Sequence, residues 1–140
     1  MKVSLKNSLA LILGVLVGAT VNAGVLRLGN LIIPLPNGTS VDTIDDLKKA
    51  IPLFETRHFI APFFAHAIGT CFGSIMAGSI AETHKLKFSL AVGFLFLIGG
   101  ISMVLQLPSP VWFNVIDLVL AYVPVAFLTG QLVQNRKLKW

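Results

Sequence analysis

Charge is scarce in this sequence. Aspartate, glutamate, lysine and arginine make up 12% of its 140 residues, against 55% hydrophobic ones. A water-soluble domain usually carries about 25% charged residues. A chain this short of charge cannot coat a water-facing surface, and its mean hydropathy of +0.84 agrees. A soluble enzyme or binding module is thereby excluded. Cysteine is scarcer still. Cys71 stands alone, so neither an intrachain disulfide nor a thiolate metal cluster can form, and it reads as a small apolar packing residue. Phosphate loop, dinucleotide fingerprint, Gly-x-Ser-x-Gly elbow, Cys-x-x-Cys and His-Glu-x-x-His are all missing, which leaves soluble-type catalysis without support.

What is present is long and apolar. Four stretches, about 8–26, 59–81, 88–105 and 111–132, are each close to the roughly 20 helical residues needed to cross a hydrocarbon core. Spanning backbone must satisfy its own hydrogen bonds, so the runs are read as helices. The expected fold is all-α: one transmembrane domain over residues 1–140, a four-helix bundle in the lipid bilayer. Pro62 falls in the first turn of the second span, where a missing N–H costs nothing. Pro124 lies inside the fourth and should kink it, freeing the carbonyl of Leu120.

The net charge of +5 is arranged at the ends of these runs. With no compact basic patch, it points to membrane orientation and to no nucleic-acid partner. Lys2, Lys6, Lys85, Lys87, Arg136, Lys137 and Lys139 fall on one side of a four-span protein, seven of eleven basic residues. Arg27, Lys48, Lys49 and Arg57 fall on the other, offset by Asp42, Asp45, Asp46 and Glu55. Both termini are therefore expected in the cytoplasm, and the localisation in a bacterial cytoplasmic (inner) membrane, multi-pass. Arg136 to Trp140 reads as an interfacial anchor. The long outer connection, 27–57, contains a turn signal at Asn37-Gly38 and then a short interfacial helix at Thr43–Ile51. That helix has acids in its first turn, lysines near its end and Pro52 closing it.

Two ladders of four-residue spacing run along the second span. Ala61, Ala65, Gly69, Gly73, Ala77 and Ala81 are small, while His66, Thr70, Ser74, Gly78 and Glu82 are polar or small. Positions four apart share a helix face, and in lipid a small face beside a polar one marks a buried helix–helix seam. The first span offers Ala10, Gly14, Gly18 and Asn22 at the same spacing. Gly14, Gly18, Gly69, Gly73 and Ala77 are thus the expected packing residues, pairing within the chain.

Polar residues also coincide in depth. At the helical rise of 1.5 Å per residue, Asn22 lies about 6 Å, Asp117 about 9 Å and His66 about 10 Å below the outer ends of their spans. Asn114 is one turn above Asp117, Ser102 comes to a comparable level on the third span, and Thr70 lies one turn below His66. A carboxylate at a helix centre costs about 2.5–3.5 kcal/mol to insert, so Asp117 must face inward and find a partner. His66 is the natural one, with Asn114 and Asn22 completing its hydrogen bonds. A metal needs three or four ligands and a haem a second axial ligand, for which Met76 and Met103 stand only by default. Neither a metal nor a cofactor is expected.

Composition and spacing therefore point to an outward-facing polar pocket that binds or passes a small solute or a proton. Four helices enclose little, so transport would call for a homo-oligomer. Two other functions fit the same residues. One is a non-catalytic accessory or scaffolding subunit, with the polar layer fixing helix register. The other is a membrane-embedded enzyme acting on a lipid or quinone, with His66 and Asp117 as acid–base pair.

Overall fold

The computed structural model describes residues 2–135, and every regular element in it is helical. The elements are α1 (Val3–Ile32), α2 (Ile44–Ala50), α3 (Ile60–Ile80), α4 (Lys85–Gln106), α5 (Val111–Leu120) and α6 (Val123–Asn135). Two short 3-10 turns, Ile51–Leu53 and Thr56–Phe59, lead from α2 into α3. α1, α3 with its leading turn, α4, and α5 with α6 form four units long and apolar enough to cross a membrane. The proposed anchor at Arg136–Trp140 lies outside the described residues.

α1 and α3 form the main seam, and its register is antiparallel. A Cβ on Gly14 would stand 2.8 Å from the carbonyl oxygen of Gly73, and one on Gly73 would stand 2.7 Å from that of Gly14. Gly18 and Gly69 repeat the arrangement at 2.8 Å in both directions. Where each Cβ would be, a glycine carries only a hydrogen, so two reciprocal pairs of Cα–H···O contacts, four in all, hold the backbones together. Ala77 packs on Gly14, and Ala61 packs on Gly29. This last contact explains why α1 continues to Ile32, beyond the apolar run that ends near Leu26. The seam outlasts the hydrophobic stretch, and Arg27 projects from the exposed side of the helix.

At the other end of the seam, Glu82 pairs with Lys6 of α1, and not with Lys85 or Lys87 across its own turn. Asn7 supports this contact by accepting from the Glu82 amide at 3.1 Å and donating to the Thr83 hydroxyl at 2.9 Å. α3 and α4 are locked by two buried serines: Ser74 donates to the Ser89 carbonyl and Ser89 to the Ser74 carbonyl, at 3.1 and 2.9 Å. Gly130 of α6 closes on the same Ser89, so three helices meet there.

The fourth span breaks. Pro124 is the second residue of α6, and Ala121 and Tyr122 form a turn between α5 and α6. Proline has no N–H to offer the Leu120 carbonyl, so the ladder is interrupted one turn upstream, as expected from sequence.

The long connection carries its short helix. Thr43 caps α2, its side chain accepting from the Asp46 amide at 3.1 Å, with Asp45 and Asp46 in the first turn and Lys48 and Lys49 in the last. Thr43→Ala should cost about 1 kcal/mol of local helix stability. Amide exchange read at Asp46 and Leu47 would show it as roughly fivefold faster, with α3 unchanged.

Candidate functional site

At the end of the bundle that bears the long connection, the helices part around a cavity of about 440 Å³. Pockets of about 300–1,000 Å³ hold small molecules. Its walls are largely apolar, including Phe54, Phe59, Phe96, Met103 and Phe113. Its polar side chains are Asn22, His66, Ser109, Asn114, Asp117 and Tyr122. No lysine or arginine contributes to the wall among the described residues.

The centre of the polar set is Asp117, which is 3% exposed. His66 Nδ1 of α3 lies 2.8 and 3.0 Å from its two carboxylate oxygens. The Tyr122 hydroxyl donates to Oδ2 at 3.0 Å, and its ring stacks on His66 with centroids 5.6 Å apart. An ionised carboxylate only accepts, and bonds to it are the strong, charge-assisted kind. With Asp117 a carboxylate, Nδ1 is the nitrogen that donates to it, and Nε2 has no hydrogen-bond partner among the described residues.

Of the remaining sequence candidates, Asn22 and Asn114 line the same cavity, but neither completes the Asp117 hydrogen bonds. Asn114 turns to the α4–α5 connection, where its Oδ1 accepts from the Ser109 hydroxyl at 2.7 Å and its Nδ2 donates to the Ser109 carbonyl at 3.3 Å. Asn22 has an enclosed Oδ1 with no hydrogen-bond partner. Ser102 does not join the cluster. It is on the exposed side of α4, where Gln106 donates to its hydroxyl at 3.1 Å. A depth count gives a level along the helix but carries no information on which face a residue occupies. Thr70 is fully buried with its hydroxyl unpartnered, and it does not line the cavity.

Tyr122 is the residue that sequence reasoning missed. It is the chain's only tyrosine, five positions after Asp117. On a straight helix that spacing turns the two side chains well apart. The break ahead of Pro124 swings the phenol back over the carboxylate, so the proline was the available signal.

The long connection contributes Leu47, Ile51 and Phe54 to the cavity wall. His58 pins this connection. Its Nδ1 accepts from the Glu55 amide at 2.9 Å, and its Nε2 donates to the Pro34 carbonyl at 3.2 Å. The ring also stacks on Phe54, centroids 5.2 Å apart. His58 thus donates through Nε2, whereas His66 meets its carboxylate through Nδ1. Among the described residues, no three His, Cys, Asp or Glu side chains come together in a way that could hold a metal ion.

The Asp117–His66–Tyr122 cluster forms a polar spot in the wall of a mostly apolar chamber. Comparison of the chain with protein-family models, with curated proteins and with solved structures finds no match.

Proposed function

We propose that this is a small multi-pass protein of a bacterial cytoplasmic membrane that binds or passes a small solute through an outward-facing pocket. Both termini lie in the cytoplasm, following the excess of lysine and arginine at that end. The observation that carries the reading is a cavity of about 440 Å³ lined by the half-buried His66 and its buried partner Asp117. A polar clamp that only fixed helix register would need no chamber beside it. Transport through so few helices requires a second copy, and the proposal includes a homo-oligomer.

The pocket is tested by thiol labelling in a Cys71→Ala background. Asn114→Cys places a thiol on the cavity wall, and Ser102→Cys places one on the exposed side of α4. A membrane-impermeant maleimide added to intact cells is expected to label the first and spare the second. An unreactive Asn114→Cys, or one labelled only in inverted vesicles, would remove the outward-facing pocket and the assigned orientation with it.

A further inference from the structure

Resting on the reading that the cavity is a ligand pocket, we infer that its ligand class is a neutral apolar molecule with a hydroxyl head, an alcohol or a phenol. The cluster itself selects the head. With Nδ1–H committed to Asp117 at 2.8 Å, a neutral His66 ring offers Nε2 as an acceptor, and the residue lines the chamber. Asn22 lines the same chamber, and its Cβ lies near Gly69, three residues beyond His66 on α3. The Asn22 Oδ1 is enclosed, so the amide's remaining polar atom, the Nδ2 donor, is the one left to meet a guest. An acceptor and a donor in the wall of one chamber match a hydroxyl, which donates to His66 and accepts from Asn22.

Other heads fit poorly. A carboxylate or phosphate would enter a chamber with no lysine or arginine in its wall and an anionic Asp117 at its base, and burying an unpaired anion is costly. An ether or ketone offers only acceptors, and would set a lone pair against the lone pair of Nε2. The body is selected by the walls. Phe54, Phe59, Phe96 and Phe113 supply aromatic faces, suited to a ring or a short chain. The volume lies near the lower end of small-molecule pockets, about 300–1,000 Å³, too small for a two-chain lipid.

The test uses the full chain in nanodiscs with three probes sharing one body: 4-butylphenol, its methyl ether 4-butylanisole, and 4-butylbenzoate. Two signals are read by NMR. The methyl carbon of Met103, a cavity residue, reports occupancy whatever the head. The ¹⁵N shift of His66 Nε2 reports a hydrogen bond to the head. The phenol is expected to move both signals saturably, with the ether and the benzoate binding about tenfold more weakly or worse and leaving Nε2 in place. Asn22→Ala should weaken the phenol several-fold. Gly99→Phe should abolish all occupancy, since Gly99 lines the cavity and has open space where its Cβ would stand. If phenol and ether bind alike and Gly99→Phe removes both, hydroxyl selection is wrong and the pocket survives. If binding persists in Gly99→Phe, the pocket reading fails as well. If the phenol produces no saturable shift, the proposed ligand class is overturned.

Discussion

Leucine in place of Gly73 is expected to leave no folded bundle, and alanine there to cost a large share of its stability. A Cβ at Gly73 would stand 2.7 Å from the Gly14 carbonyl oxygen and 3.1 Å from Val92. The first obstacle is backbone, which cannot turn aside as a side chain can. Relief requires α1 and α3 to separate, and separation breaks all four reciprocal glycine contacts together. Overpacking a well-filled interior costs typically about 1–3 kcal/mol, and occasionally more. Gly14→Ala should behave like Gly73→Ala, because its Cβ would meet both the Gly73 carbonyl at 2.8 Å and Ala77 at 2.7 Å. The double variant should lose less than the sum, since helices already forced apart have less left to lose. Gly24→Ala is the control. Nothing lies within 4 Å of its Cβ position, so it should be neutral or gain about 0.5–1 kcal/mol from helix preference. Reversible unfolding in mixed micelles measures all four. A Gly73→Ala protein as stable as Gly24→Ala would mean the seam is not the close backbone contact described here.

The seam also supports the site. Gly69 sits between the Gly18 carbonyl and the Asn22 Cβ, at 2.8 and 2.9 Å from where its own Cβ would be. A side chain there would push Asn22 away from His66. The ladder of small residues in the second span and the polar ladder beside it thus serve one arrangement: close backbones bring Asn22 of α1 to the level of His66.

Much of this was legible in the sequence because lipid constrains it so strongly. Backbone that must satisfy its own hydrogen bonds leaves helices as the reading of four apolar runs. Small residues at four-residue spacing on two runs leave few ways to pair them. The seam pairs Gly14 with Gly73 and Gly18 with Gly69, as that spacing implies. The short helix after the Asn37-Gly38 turn follows from Thr43 and the charges that flank it. What was not legible depends on rotation about a helix axis. Depth counting treats Asn22, His66, Ser102 and Asp117 alike, yet Ser102 faces away from the others. The Lys6–Glu82 pair could not be read from local spacing either, because it joins residues 76 apart in the chain. Tyr122 was hidden for a third reason. Its role comes from a break in the helix, and a proline shows that a kink exists without giving its direction.

Asp117→Asn should reverse the chemistry of the pocket with little change in its shape. In the native protein two donors, His66 Nδ1–H and the Tyr122 hydroxyl, converge on the carboxylate. An asparagine there can keep both contacts in one arrangement: its oxygen accepts from Tyr122 while its nitrogen donates to His66 Nδ1. The imidazole must then move its proton to Nε2. The free nitrogen facing the cavity becomes a donor, and the preference of the site inverts. ¹⁵N spectra of histidine-labelled protein should show His66 protonated at Nδ1 in the native chain and at Nε2 in the variant. His58 supplies an internal reference in both, because its bonds to Glu55 and Pro34 require Nε2–H. Binding of 4-butylphenol should fall by about tenfold or more, whereas 4-butylanisole should gain, since an ether oxygen can now accept from Nε2–H. A scaffold would respond differently: the buried bonds would weaken and the bundle would lose stability, with no exchange of preference between the two probes. A His66 that stays protonated at Nδ1 in Asp117→Asn, with phenol binding intact, would show that the carboxylate does not govern what the cavity accepts.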